Sequence, residues 1–234
     1  MPAQPSVTKG KAGMSNRALV IGASGGIGAA LCAHLSERGS TVTRLSRAAD
    51  GFDITDPSRV RAAMDGLEGP FDTVLIASGI LAPEGKRPEK ALSEIDAASM
   101  ARVLAVNAIG PALVLRHLPQ LLPTKDRSVV GVLTARVGSI GDNRLGGWYS
   151  YRAAKAAANQ IVHTASIEIA RKRKNAVVVA LHPGTVQTPF TEDYPTHRKV
   201  SADEAASNIV SVLDQLTPED SGGFFDWEGK PVPW

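Results

Sequence analysis

Two residues four apart carry the clearest chemical suggestion in the chain: Tyr151 and Lys155, in the stretch Tyr151-Arg-Ala-Ala-Lys155. On a helix that separation is about one turn along one face, so a phenol and an ammonium would point into a single cleft. A free phenol titrates near ~10, and a fixed cation beside it favours the phenolate and lowers that value. Each unit of such a shift is worth about 1.4 kcal/mol. A phenol tuned in this way hands a proton to a carbonyl oxygen, or takes one from an alcohol, near neutral pH. The spacing by itself is common on amphipathic helices, so its meaning depends on what surrounds it.

The first element that could serve this pair is a strand, a glycine loop and a helix. Arg17-Ala-Leu-Val-Ile21 is a short, mostly apolar run, and Gly22-Ala-Ser-Gly-Gly-Ile-Gly28 follows at once. A helical pattern then places Ile27, Leu31 and Leu35 on one side and stops at Gly39. Glycines at 22, 25, 26 and 28 let the backbone approach a pyrophosphate, while amides at the helix start, around Ser24 to Ile27, point at its charge. The next strand, Thr41-Val-Thr-Arg-Leu45, ends in Ser46-Arg47. An acidic residue there would bind ribose hydroxyls, whereas an arginine favours a 2′-phosphate, so NADP(H) is expected over NAD(H).

Further along, Phe52-Asp-Ile54 reads as a very short strand, and Asp56-Pro-Ser as a capped helix start. Phe71-Asp-Thr-Val-Leu-Ile-Ala77 is a buried-strand run closed by Ser78-Gly79. A helix beginning near Asp96 carries Val103, Leu104 and Val106, with Asn107 and Pro111 at its heart. Proline has no amide hydrogen, so the Asn107 carbonyl loses its helical donor. The helix either kinks and leaves that oxygen for a bound water, or simply bends to wrap the core. Val129-Val-Gly-Val-Leu-Thr134 is the fifth strand. Ser150 to Lys172 is a long alanine-rich helix with Ala154, Ala158, Ile161, Ala165 and Ile169 on one stripe, and its other small-residue face is a candidate subunit contact. Ala176-Val-Val-Val-Ala-Leu-His182 is the sixth strand, turned by Pro183-Gly184. Residues 188 to 200 lack periodicity and suit either a substrate cover or a mobile loop. A helix from about Asp203 and a strand at Gly223-Phe-Phe-Asp226 complete an alternation that implies a parallel sheet with helices on both faces.

With 234 residues, 43% of them hydrophobic, the chain suits one α/β domain over residues 17 to 234, preceded by a flexible leader at 1 to 16. That leader has no secretory core, and Met14 is an alternative start. No apolar run approaches the roughly 20 residues of a membrane span. The single cysteine, Cys32, allows no internal disulfide and no cysteine metal site, which fits a cytoplasmic setting. The net charge of +3 owes its sign to Arg171-Lys-Arg-Lys174, which reads as the cationic end of a helix and not as a nucleic-acid patch.

Taken together, Gly22-x-x-x-Gly26-x-Gly28, Asn107, Tyr151-x-x-x-Lys155 and Pro183-Gly184 resemble the short-chain dehydrogenase/reductase family in order and approximate spacing. The runs Arg136-Val-Gly-Ser-Ile, Gly-Gly-Trp-Tyr-Ser-Tyr-Arg and Leu-His-Pro-Gly-Thr-Val are similar to its C-factor and sniffer-type carbonyl reductase branch. The resemblance implies a seven-stranded Rossmann-type doubly wound sheet and hydride transfer between nicotinamide and a small carbonyl or alcohol. Tyr151 would be the acid or base, Lys155 would hold the nicotinamide ribose, and Asn107 would keep a water in a proton relay. Asp53 and Ile54 would lie by the adenine, Ala77, Ser78 and Gly79 by the ribose, and Pro183, Gly184, Val186 and Thr188 by the nicotinamide amide. The resemblance also implies a homodimer or homotetramer. Two departures stand out. Ile76-Ala77 replaces the family's asparagine pair, and Ala135 stands where a substrate-binding serine opens S-x-x-G. Ser139, or alternatively Thr134, would supply the missing hydroxyl. Without one, the chain would be an NADP(H)-binding sensor with little catalysis.

Overall fold

Short apolar runs closed by glycine or polar turns become strands, and the amphipathic runs between them become helices. The structure, a computed structural model, describes residues 16–188 and 199–234; the leader and most of the segment from 188 to 200 lie outside them. In chain order the elements are β1 (Arg17–Ile21), α1 (Gly26–Glu37), β2 (Thr41–Leu45), α2 (Arg47–Asp50), α3 (Pro57–Asp65), β3 (Thr73–Ile76), α4 (Ala97–Leu104), α5 (Gly110–Leu115), α6 (Leu118–Leu121), β4 (Ser128–Leu133), α7 (Tyr149–Lys172), β5 (Ala176–His182), α8 (Ala202–Gln215) and β6 (Phe224–Asp226).

All strand pairs are parallel, in the order β2-β1-β3-β4-β5-β6. The chain runs from β1 out to β2 and then crosses back over β1 to β3, so the strand order reverses there and opens a crevice at the carboxyl ends of β1 and β3. Alternation along each strand divides the core in two. Leu19, Ile21, Val130, Val132, Val178 and Ala180 face α3, α5, α6 and α7, with Met64, Val114 and Val162 among their neighbours. Val20, Val129, Val177 and Val179 face α1 and α8, against Leu31, Leu35, Ile209 and Leu213. Strands covered on both sides have no polar alternation to show, as β5 illustrates.

The sheet has six strands among the described residues, not seven. Phe52 and Ile54 are buried as expected, but no ladder forms. The Asp53 carboxylate instead accepts from the Thr55 amide at 2.9 Å and hydroxyl at 2.7 Å, and the backbone turns there, with Asp56 N–H bonded to the Asp53 carbonyl. Such an aspartate turn competes directly with strand pairing. Helix starts follow the sequence closely: Asp56 caps α3 ahead of Pro57, Asp96 caps α4 and Ser201 caps α8. On α7 the buried stripe runs through Ala154, Ala158, Val162, Ser166 and Ile169, so Val162 takes the place expected of Ile161. Arg171 and Lys172 close α7 as the cationic end its dipole favours.

The helical run Ala97–Leu115 is 19 residues long with a mean hydropathy of 1.6, enough by length and composition to cross a membrane, contrary to the sequence expectation. Its apolar side is spent on the core, where Val103, Val106, Ala108, Val114 and Leu115 are buried.

Candidate active site

Tyr151 and Lys155 lie together on one face of α7. Both lie on the buried side of α7, with 6% and 3% of their surface exposed, and Lys155 Nζ sits 5.7 Å from the centre of the Tyr151 ring. The amine is held by the sheet. β3 ends at Ile76, level with Val132, and the Thr134 amide turns toward Leu181 on β5. The Leu133 carbonyl is thus left on the side β3 has vacated, and Lys155 Nζ donates to it at 2.9 Å. Burial disfavours charge on both groups. It pushes the phenol well above its ordinary value and pulls the amine down to about 8. The phenol is thus shifted in the direction opposite to that expected from its cationic neighbour, and the cause is desolvation.

Asn107 joins the pair through Gly79. A Cβ on Gly79 would stand 2.9 Å from Asn107 Oδ1 and 3.5 Å from Lys155 Nζ, so only a glycine lets the three residues meet. The Asn107 side chain is fixed between the segment after β3 and α4: Oδ1 accepts from Ile80 N–H at 3.2 Å, and Nδ2 donates to the Ile80 and Val103 carbonyls at 2.8 and 3.0 Å. Between α4 and α5 the helix leaves its regular α register. It widens into a π turn over Ala105–Ile109, with Gly110 N–H reaching the Ala105 carbonyl five residues back. Pro111 then has no hydrogen to give the Asn107 carbonyl. Turns of this kind concentrate at functional sites.

The glycine loop forms as read. Gly22 has φ +85, and any side chain there would meet Ser78 N at 2.8 Å, so the loop and the end of β3 touch backbone to backbone. A Cβ on Gly28 would lie 2.1 Å from the Gly22 carbonyl, which packs α1 hard against the turn. Ser24, Gly25 and Gly26 are exposed, and Ile27 is half-buried. Thr188 leans over Gly26, whose Cβ would meet the threonine methyl at 2.7 Å, so the turn after β5 faces the glycine loop. In that turn Pro183 and Val186 are buried and Gly184 has φ +81. At the far end of the crevice Ser46 caps α2, and Arg47 is exposed beside it. Arg102 and Arg47 both help hold the Asp53 carboxyl below its usual range, behind the larger effect of the Thr55 hydrogen bonds. Ile54 packs on Gly110, joining this end to the π turn. Ala77, Ser78 and Gly79 lie between the two ends of the crevice.

The hydroxyl question takes a definite shape. Ala135 packs against the small apolar cluster that includes Tyr151, and its side chain is a methyl with no hydroxyl to give. Ser139 is 1% exposed, and its Oγ accepts from the Asp142 amide at 3.0 Å, tying down the loop. Thr134 is 3% exposed, and its Oγ1 is buried without a hydrogen-bond partner. Sequence reasoning passed over Glu89, whose buried carboxylate meets Ser150 at the start of α7. The available signal was the tryptophan at position 148, where a helix start usually carries a serine, threonine, aspartate or asparagine. No cluster of metal-ligating residues occurs among the described residues.

Comparison with known proteins meets this geometry from another side. A family model described as short chain dehydrogenase matches residues 16–199. The 1-hydroxy-2-glutathionyl-2-methyl-3-butene dehydrogenase of Rhodococcus sp. (strain AD45) is 32% identical over 232 residues, 92% of this chain and 98% of its own. C-signal of Myxococcus xanthus is 41% identical over 145 residues, 62% of this chain and 84% of its own. Among solved structures, a short-chain dehydrogenase/reductase from Burkholderia multivorans with bound NADP aligns with a TM-score of 0.81 at 27% identity, covering 94% of this chain and 100% of that one. The carbonyl reductase Sniffer of D. melanogaster shares the fold, with a TM-score of 0.78 at 19% identity over 94% of this chain and 100% of that one.

Proposed function

Because the chain belongs to the short-chain dehydrogenase family, we propose that it is an NADP(H)-dependent oxidoreductase acting on a small carbonyl or alcohol, with Tyr151 as its proton donor or acceptor. The observation that supports this reading is the proximity of Tyr151, Lys155, Asn107 and Gly79, with Ser78 next to them against Gly22 of the glycine loop.

The residues present fit a dinucleotide, since a Cβ would fill the cradle at Gly22, Gly26 and Gly79. Gly22, Ser24, Gly25, Gly26, Ile27 and Gly28 would hold the pyrophosphate, Ser46 and Arg47 the 2′-phosphate, and Asp53 and Ile54 the adenine. Ala77, Ser78, Gly79, Tyr151 and Lys155 would hold the nicotinamide ribose, and Pro183, Gly184, Val186 and Thr188 the carboxamide. When bound, NADP(H) supplies or accepts the hydride. Burial keeps the Tyr151 phenol protonated at neutral pH, which suits donation to a carbonyl oxygen. Lys155, charged below about 8, holds positive potential beside the phenol, and the Asn107 carbonyl would accept a hydrogen bond from a water that relays protons to the lysine. Ser139 remains our expected hydroxyl to orient the carbonyl. Thr134, with its unpartnered Oγ1, is the competitor, and Ser139→Ala against Thr134→Val separates the two by which one lowers kcat.

The test of the whole reading is purified protein with NADPH and a panel of activated ketones and quinones, followed by loss of nicotinamide absorbance. Turnover that disappears in Tyr151→Phe while NADPH still binds supports it. Arg47→Ala should weaken NADPH far more than NADH, and equal losses would remove the 2′-phosphate assignment. The Ala135 methyl beside the phenol favours a second reading, an NADP(H)-binding sensor, which tight NADPH binding without any turnover would select. A homodimer or homotetramer through the alanine-rich outer face of α7 belongs to the same proposal, and sedimentation measures it.

A further inference from the structure

The helix that carries Tyr151 begins without a cap of its own. Its N-cap residue is Trp148, held at φ 54 with no side-chain acceptor, and its first turn contains no acidic residue. The opening amides of a helix need acceptors, and the positive end of its dipole favours an anion. Glu89, from the segment between β3 and α4, meets both needs. Its Oε2 accepts from the Ser150 amide at 3.2 Å, its Oε1 accepts from the Ser150 hydroxyl, and its backbone carbonyl accepts from the Trp148 amide. Glu89 is 7% exposed and Ser150 3%. Burying a carboxylate is costly unless hydrogen bonds hold it, and these are all spent on the residues immediately before Tyr151.

The same segment is fastened at its other side to α4. Lys86 Nζ donates to Asp96 Oδ2 at 2.9 Å and to Ser99 Oγ at 2.7 Å, both at the start of that helix. Residues 86 to 89 thus strap together the two helices that bring Asn107 and Tyr151 to the cleft. Between them the Tyr151 ring packs with Val103 of α4, and Trp148 meets it edge-on with centroids 6.1 Å apart.

We propose that Glu89 is a positioning residue for Tyr151: its buried carboxylate sets the first turn of α7 through Ser150, and so the place of the phenol. The inference rests on Tyr151 being the proton-transfer residue, and a small misplacement of such a group costs about 10²-fold in rate. Glu89→Gln keeps the shape but one acceptor oxygen fewer, and Ser150→Ala removes the hydroxyl partner.

Each variant, and the parent, is titrated in the near ultraviolet, and the Tyr151 contribution is taken as the difference from the same protein carrying Tyr151→Phe. NADPH affinity and the kinetics of carbonyl reduction are measured alongside. In Glu89→Gln the Tyr151 phenol should ionise at lower pH than in the parent, because a loosened first turn admits water to a group that burial now protects. Its kcat should fall about tenfold or more with NADPH affinity unchanged. A Glu89→Gln protein that loses only thermal stability, with parental phenol titration and kcat, overturns the proposal. If Glu89→Gln does not fold, Ser150→Ala decides by the same titration, and an unmoved phenol there overturns it equally. If the parent turns over no carbonyl, the enzymatic reading fails on that result, and the titration still decides whether Glu89 places the phenol.

Discussion

Lys155 Nζ hangs from the Leu133 carbonyl at 2.9 Å, where β4 outruns β3 by one residue. That single bond fixes a cation at the end of the sheet and over the Tyr151 ring. A lysine on α7 is thus positioned by a mismatch in strand length, and four consequences can be measured.

The first concerns stability. Burial lowers Lys155 from 10.5 to about 8, so the unfolded chain holds that proton more tightly than the folded one between those values. Stability from this group therefore rises with pH across the window from about 8 to 10.5, and is lost as pH falls through about 8. Lys155→Met should remove the penalty. At neutral pH the variant is expected to be more stable by about 2 to 3 kcal/mol, allowing for the lost bond to Leu133. Urea denaturation across the window checks this: the gain should shrink as the lysine of the unfolded parent deprotonates. A gain of the same size at both ends would come from packing and not from charge.

The second concerns rate. The pH dependence of kcat/KM for NADPH reports the free enzyme, in which Lys155 loses its charge near 8. The parameter should be level below that value and fall by about tenfold per pH unit above it. Lys155→Arg, which stays charged, should abolish the break even where its absolute rate is lower.

The third concerns the methyl at Ala135, which packs with Tyr151 where the family's S-x-x-G begins with serine. Ala135→Ser places a hydroxyl beside the phenol without a large change in volume. With Ser139 already supplying the donor, the added hydroxyl should leave kcat unchanged. Because a missing donor of this kind typically costs about 10² to 10³ in rate, a rise of about tenfold or more would mean that neither Ser139 nor Thr134 fills the role.

What the sequence made legible follows from how local the cause was. The glycine loop, the caps at Asp56 and Asp96, and the one-turn spacing of Tyr151 and Lys155 are each set by a few neighbouring residues, and the structure reproduces them. Phe52 to Ile54 failed as a strand because the alternation was real but Asp53 spends its carboxylate on Thr55. The phenol's upward shift was hidden because desolvation depends on what α4 and the 135–148 loop lay over it, which no spacing records. Glu89 was hidden for the same reason, since its partner is far along the chain.

The fourth consequence isolates the π turn. Pro111 withholds a hydrogen from the Asn107 carbonyl, and the turn over Ala105–Ile109 sets Asn107 against Ile80 and beside Gly79. Pro111→Ala restores a backbone N–H four residues beyond that carbonyl, the spacing of an α-helical bond. If the oxygen serves a water relay to Lys155, the variant ties it up, and two effects should separate. Stability should rise by about 1 kcal/mol from the added hydrogen bond, read as an increase in Tm. Carbonyl reduction should slow by about tenfold, with NADPH affinity unchanged because Pro111 lies outside the residues assigned to the cofactor. A stabler variant with undiminished kcat would shift the contribution of Asn107 from its carbonyl to its side-chain amide, whose three hydrogen bonds to Ile80 and Val103 the substitution leaves in place.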